Sequence, residues 1–337
     1  MTAPLLRSRV LAPLLFVATV FAGTAPSAGA QGTTSGQLDA GIALFDQRRY
    51  ADARTRLREA AESGATEAEA SYYLGRIALV EGNPKAGVHW LERAIEREPR
   101  RADYHRWLGR AYAREALRAG RFRQAMLAGR IRDSFERAVV LDPREVEARL
   151  DLVQFYLVAP SIVGGSEDKA REQAAQIAKL NEYRGAIAAG WVSEDAGQMA
   201  EAEQSYRDAI RDYPDSSAAY IALGTLFQRN EEYDRAFDVF EELLRAQPSE
   251  RAAYYHIGRT GSVSGERLDE AEAALRRYLA HPPGEADPSL ASAHYRLGLI
   301  YERQGRVDMA RKEYEATVRL DPTQKDAEDA LERIGDD

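Results

Sequence analysis

Cysteine is absent from all 337 residues. That excludes disulfide stapling, lipid attachment through a thiol, a cysteine nucleophile and cysteine-ligated zinc. Histidine is scarce. The five, His89, His105, His256, His281 and His294, lack the paired spacing that a zinc site on one helix uses. Basic charge is short as well, with 46 Lys and Arg against 54 Asp and Glu and a net charge of −8, so the chain has no basic footprint for nucleic-acid phosphates. Only 13 residues are proline and 45% are hydrophobic, which removes any disorder-like bias. No apolar run in the chain is long enough to span a membrane, the one from Val10 to Ala22 falling short of the roughly 20 residues required.

The first thirty residues are of another kind. Arg7 and Arg9 precede an apolar run from Val10 to Ala22, and Ala28-Gly29-Ala30 offers the small-x-small pattern of a signal-peptidase site. Residues 1–30 are therefore expected to be a cleaved secretory signal peptide. The mature chain is expected to start at Gln31, exported to the periplasm, with no stable membrane span.

Self-similarity dominates the rest. Gly41, Gly75 and Gly109 are spaced 34 and 34 apart, and so are Gly190, Gly224 and Gly258. Around them recurs one frame, seen in "YIALGTLFQRNEEYDRAFDVFEELLRAQP" and "HYRLGLIYERQGRVDMARKEYEATVRLDP". An aromatic leads to Leu-Gly, a second aromatic follows, then come Ala, another aromatic four residues on, and Pro. Leu74, Leu108, Leu223 and Leu297, with Tyr112, Phe135, Tyr206, Phe240 and Tyr314, are the expected core. Each such side chain contributes roughly 1.5–3 kcal/mol when buried. The glycines are expected to let paired helices approach, Gly224 against the neighbourhood of Ala236.

This frame resembles the tetratricopeptide repeat (TPR), over nearly all of the mature chain. The resemblance implies an all-α fold, a right-handed α-solenoid of about eight helix-turn-helix units. Array 31–324 divides into repeats near 34–67, 68–101, 102–145, 146–182, 183–216, 217–250, 251–290 and 291–324. Residues 325–337 read as a C-terminal cap helix, with Ala327, Leu331 and Ile334 on its inner face.

Two departures from the 34-residue period stand out. Phe135 and Ala138 arrive ten residues late in the third repeat, which predicts a hairpin at 115–130, turning at Gly120, with both helices lengthened by about five residues. In "APSIVGGSEDKA", Pro160 is expected to end one helix, Gly164 and Gly165 to permit positive φ, and Ser166 to cap the next helix. This loop beside the hairpin is similar to an arrangement in exported bacterial TPR proteins. Local packing variants, a composite edge surface and an anion-binding nest at Gly164–Ser166 all remain open readings at this point.

No catalytic constellation can be singled out. "GRTGSVSGER" lacks the Gly-Lys-Ser/Thr ending of a phosphate loop and follows no strand. The chain is expected not to be an enzyme and to need no cofactor or metal. Recognition remains. The resemblance implies a concave surface built from the first helix of each repeat, and those positions hold Tyr72, Arg76, Arg106, Arg110, Arg114, Gln154, Trp191, Arg229, Tyr255 and Arg259. Arg106, Arg110 and Arg114 share one helical face at i, i+4 and i+8, taken as solvent-facing. The groove thus reads either as a site for a protein or an extended acidic peptide, or as a basic face neutralised by Glu and Asp of adjacent repeats. The leading function is an exported scaffold in cell-envelope assembly or maintenance. A binding component for a small acidic solute in a transport system is the alternative, and an enzyme of unidentified type stands third.

Overall fold

The computed structural model describes residues 34–285 and 287–335; the expected signal peptide, residues 1–30, and its cleavage point lie outside them. Among the described residues every regular element is helical, and the fold is an α-solenoid. Eight antiparallel pairs follow one another. They are α1 (Thr34–Asp46) with α2 (Tyr50–Ala61), α3 (Glu67–Val80) with α4 (Pro84–Arg97), α5 (Ala102–Ala116) with α6 (Arg121–Leu141), and α7 (Val146–Val158) with α8 (Glu167–Leu180). Then come α9 (Glu182–Asp195) with α10 (Met199–Asp212), α11 (Ser217–Arg229) with α12 (Tyr233–Ala246), α13 (Arg251–Ser264) with α14 (Leu268–Leu279), and α15 (Leu290–Arg303) with α16 (Val307–Leu320). A last helix, α17 (Lys325–Arg333), buries Ala327, Ala330 and nearby Ile334 against the final pair while Glu328, Asp329 and Glu332 stay exposed.

In five of the eight pairs the turn is set by one left-handed residue at the same place. Gly82, Gly197 and Gly305 hold φ of 75°, 74° and 73° there, and Arg48 and Glu231 hold 59° and 58° at the same place in their own pairs. Each turn is locked by a backbone bond reaching five residues back, such as Asn83 N to Ala78 O (2.7 Å), Glu232 N to Phe227 O (2.9 Å) and Arg306 N to Tyr301 O (2.8 Å). This is the Schellman pattern, which satisfies carbonyls that the helix end leaves free.

The glycine ladder packs differently from the expectation. A Cβ on Gly224 would meet ring carbons of Phe240 at 2.4 Å, rather than the backbone near Ala236. The same embrace joins Gly41 to Leu57, Gly75 to Leu91, Gly109 to Phe135, Gly190 to Tyr206, Gly258 to Leu275 and Gly298 to Tyr314. The first helix thus gives up a side chain so that a large one from its partner can lie across its backbone. All of the expected core fillers are buried, from Leu74 to Tyr314.

The third pair departs from the predicted hairpin. α5 has 15 residues, and α6 has 21 where other second helices have 12 or 14. The extension therefore falls almost wholly on α6, N-capped at Gly120 as expected, and residues 121–126 are all exposed. In the last turn of α5, buried Glu115 accepts Arg123 Nε at 3.0 Å, which ties the start of α6 back across the turn.

Candidate functional site

α5 carries Arg106, Arg110 and Arg114 on one face, opposite the acidic start of α7. Arg106 meets Glu145 at 2.9 Å and Glu147 at 4.0 Å; Arg110 meets Asp151 at 2.8 Å and Glu147 at 3.6 Å. Arg184 of α9 closes on Glu147 from the other side. Burial pushes the Asp151 carboxyl above its usual range although Arg110 opposes this. The side chain of Arg106 is only 14% exposed. These arginines are therefore not solvent-facing as expected: acids of the next repeat neutralise Arg106 and Arg110, since i, i+4 rows on adjacent first helices face each other, while Arg114 is turned to main-chain carbonyls.

Arg76 of α3 is handled differently. Its guanidinium lies 4.6 to 5.0 Å from the ring centroids of Phe45, Tyr72, Tyr73 and Trp107, a bed of four aromatics that favours a cation. Its fork donates from Nε to Glu285 Oε1 (2.7 Å) and from Nη2 to Glu285 Oε2. Burial works against this charge, but the bonds to Glu285 outweigh it and hold the Arg76 pKa above its ordinary value. Such bidentate, charge-assisted pairs are among the stronger polar contacts proteins make.

Glu285 belongs to the segment between α14 and α15, "HPPGEADPS" from His281, whose described residues, 281–285 and 287–289, lie in the groove framed by α1, α3 and α5. Arg114 Nη2 donates to the Glu285 carbonyl (2.9 Å) and its Nη1 to Leu79 O (2.8 Å). Arg48 reaches Pro282 O (3.3 Å), and the Tyr50 hydroxyl donates to Pro283 O (3.2 Å). Asp287 Oδ2 accepts from Arg251 (3.0 Å), from Arg48 (3.4 Å) and from the Gly284 amide (2.7 Å). Open space remains on both sides. A pocket of about 450 Å³ is walled by Tyr72, Arg76, Trp107 and Arg110, and one of about 270 Å³ by Leu79, Val80, Pro84 and Leu117.

The other expected groove residues are dispersed. Tyr72 is buried against Tyr104 yet still walls the groove beneath Arg76, whereas Tyr255 packs on Tyr278 as a core residue and not groove lining. Burial pushes the Tyr72 hydroxyl up to about 12. Gln154 is exposed, and Trp191 is half-buried among several core groups. Arg229 pairs with Glu194, and Arg259 donates to Gln228 with its pKa lowered by burial and by neighbouring Arg296. Glu285 and Asp287 were missed. Their signal was the length of the seventh repeat, 251–290, which exceeds the period by six residues.

At the 159–166 loop, helix α7 ends before Pro160, Ser166 caps α8 by accepting Lys169 N (3.3 Å), and Gly164 takes φ of 110°. Gly165 does not take positive φ; its need is space, since a Cβ would fall 1.7 Å from Ala159 O. The anion-nest reading fails here. The amides of Gly164, Gly165 and Ser166 all donate to the chain's own carbonyls, at Ser161, Pro160 and Tyr156. Ile162 in this loop and Leu117 and Phe122 at the overhang are exposed. Among the described residues no group of His, Asp and Glu is arranged to hold a metal, and no helix is long and apolar enough to cross a membrane.

A helical array of paired units with a polar groove defines a repeat scaffold. Models of the tetratricopeptide repeat match residues 38–94, 81–115, 187–251, 221–286 and 263–325, more than half of the chain, and the protein belongs to that family. The general transcriptional corepressor trfA of Dictyostelium discoideum is 27% identical over 132 residues, 39% of this chain and 9% of that protein. Cellulose synthase operon protein C of Pseudomonas fluorescens (strain SBW25) is 28% identical over 173 residues, 48% of this chain. The match spans 13% of that second protein, so each relative is much longer than the part it shares. Among solved structures, a human IFIT1 dimer with PPP-AAAA superposes with a TM-score of 0.54 at 14% identity, over 88% of this chain and 72% of that one, which is a likeness of fold.

Proposed function

We propose that this chain is a scaffold that takes an extended acidic segment of a protein partner into the groove between α1, α3 and α5. The observation that supports it is Arg76, a guanidinium on four aromatic rings whose fork engages a carboxylate. We further propose that it works after export, in bacterial envelope assembly or maintenance. That part rests on the pattern of residues 1–30, and a mature chain recovered with those residues intact would refute it. The two curated relatives are named for unrelated processes, so what they share with this chain is the repeat and not a pathway.

The test is fluorescence anisotropy with a labelled peptide carrying Glu and Asp, titrated at low and moderate salt. Binding is expected to weaken as salt screens the pair and to fall at least tenfold in Arg76→Ala. If a free dicarboxylate such as succinate saturates the protein while peptides do not, the solute-binding alternative replaces this reading.

A further inference from the structure

The groove is already filled, and by an acidic segment of the same chain. We infer that loop 280–289 is a resident stand-in for the partner's acidic segment, and that the partner binds by displacing it. This inference rests on the reading of the groove as a peptide site.

Two kinds of contact hold the loop. Arg48, Tyr50 and Arg114 take main-chain carbonyls of Pro282, Pro283 and Glu285, which any polypeptide can supply. The side-chain contacts are selective. One carboxylate sits in the fork of Arg76, and a second, two residues on, sits between Arg251 and Arg48. The groove therefore reads Glu-x-Asp on an extended or turning backbone. A partner's segment with that pattern meets the same donors.

The hold is also of a reversible kind. The segment contributes prolines, a glycine and acids but no large apolar side chain, and although Pro283 is buried the attachment is mainly polar. Glu285 keeps 19% of its side-chain surface exposed, beside the larger pocket, where an incoming chain can first engage. On the other side Leu79, Val80 and Leu117 offer an apolar wall for a residue flanking the acids. Because the loop is tethered, it competes at an effective concentration on the order of millimolar, and outside peptides must overcome that.

The probe is a fluorescein-labelled peptide of the loop sequence, PPGEADPS, with PPGQANPS as control, titrated against the full chain. Glu285→Gln and the double variant Glu285→Gln/Asp287→Asn are expected to bind the acidic probe at least tenfold more tightly than the wild type, and Arg76→Ala in either background to abolish the gain. Hydrogen exchange on the wild type gives a second readout that needs no variant. Saturating acidic probe is expected to speed exchange at the Gly284 and Asp287 amides, which the docked loop holds in hydrogen bonds, and the control peptide to leave them unchanged. Equal affinity in wild type and both loop variants, with those amides unaffected, overturns displacement but leaves the groove as a peptide site. No binding to any of the proteins overturns the peptide-site reading and displacement together.

Discussion

Replacing Gly224 by alanine adds a single methyl group to α11, yet the structure assigns it a definite obstacle. The new Cβ would stand 2.4 Å from two ring carbons of Phe240 and 3.0 Å from a third, where ordinary contact begins near 3.4 Å. The ring must retreat by roughly 1 Å, well inside the steep part of the van der Waals curve. It has little room to do so, because Phe240 is fully buried and its far face stacks on His256 with centroids 5.0 Å apart. Overpacking of this size costs about 1–3 kcal/mol, while the better helix propensity of alanine returns up to about 1 kcal/mol. With that return subtracted in full, a net loss of up to about 2 kcal/mol is expected, read as a lower urea midpoint by circular dichroism. The decisive comparison is the same change in a Phe240→Ala background, where the obstacle is gone and Gly224→Ala should be neutral or stabilising. Gly120→Ala serves as the control, since nothing lies within 4 Å of that position. An equal cost with and without the Phe240 ring would refute the packing argument.

Glu231 spends a left-handed backbone on an exposed side chain, so Glu231→Gly should raise the urea midpoint, by up to about 1 kcal/mol once the entropy of glycine is subtracted; a lower midpoint would contradict the strain. His256 is buried, and burial, with the Arg259 charge second, holds its imidazole down to about 3. The unfolded state therefore takes up the proton near pH 6.5 while the native state does not, and stability falls as pH drops through that window by up to about 1.4 kcal/mol per unit. His256→Asn should flatten the dependence of urea midpoints between pH 6.5 and 4; an unchanged slope would put the proton uptake elsewhere. Gly165→Ala should cost about 2 kcal/mol or more, because the obstacle is a backbone carbonyl that no rotamer change can move, and a wild-type melting profile would disprove it.

Much of the fold could be read from the chain because its information is periodic. Glycine and large apolar residues recur at fixed steps, and each step is one helix face against its partner, so Gly109 and Phe135 disclosed even the ten-residue slip. Which helix absorbed that slip was not legible, because helix propensity is similar across 115–130 and the contact across the turn, Glu115 with Arg123, is tertiary. The arginine stripe was legible as a stripe. Its neutralisation depends on Glu145 and Asp151, at the start of the next repeat's first helix and within it, standing at matching height, which periodicity alone does not fix. The groove's occupant was invisible to any periodic argument, because Arg76 and Glu285 are 209 residues apart and neither position repeats.

That long-range pair changes how the array should fold. Repeats that touch only their neighbours fray from the ends, each by its own stability. Here the first three pairs cannot peel away from the seventh without separating Arg76 from Glu285 and Arg48 from Asp287. Spanning so many residues adds little extra entropy cost, since closure grows only by about 0.6 kcal/mol per doubling of the loop. What it does require is that every intervening repeat be in register, for one misfolded unit would carry the two ends apart. The ion pair thus acts as a check on register: it closes only when the second to the seventh pairs are stacked correctly, so a mutation that shifts any pair between them should also loosen the loop.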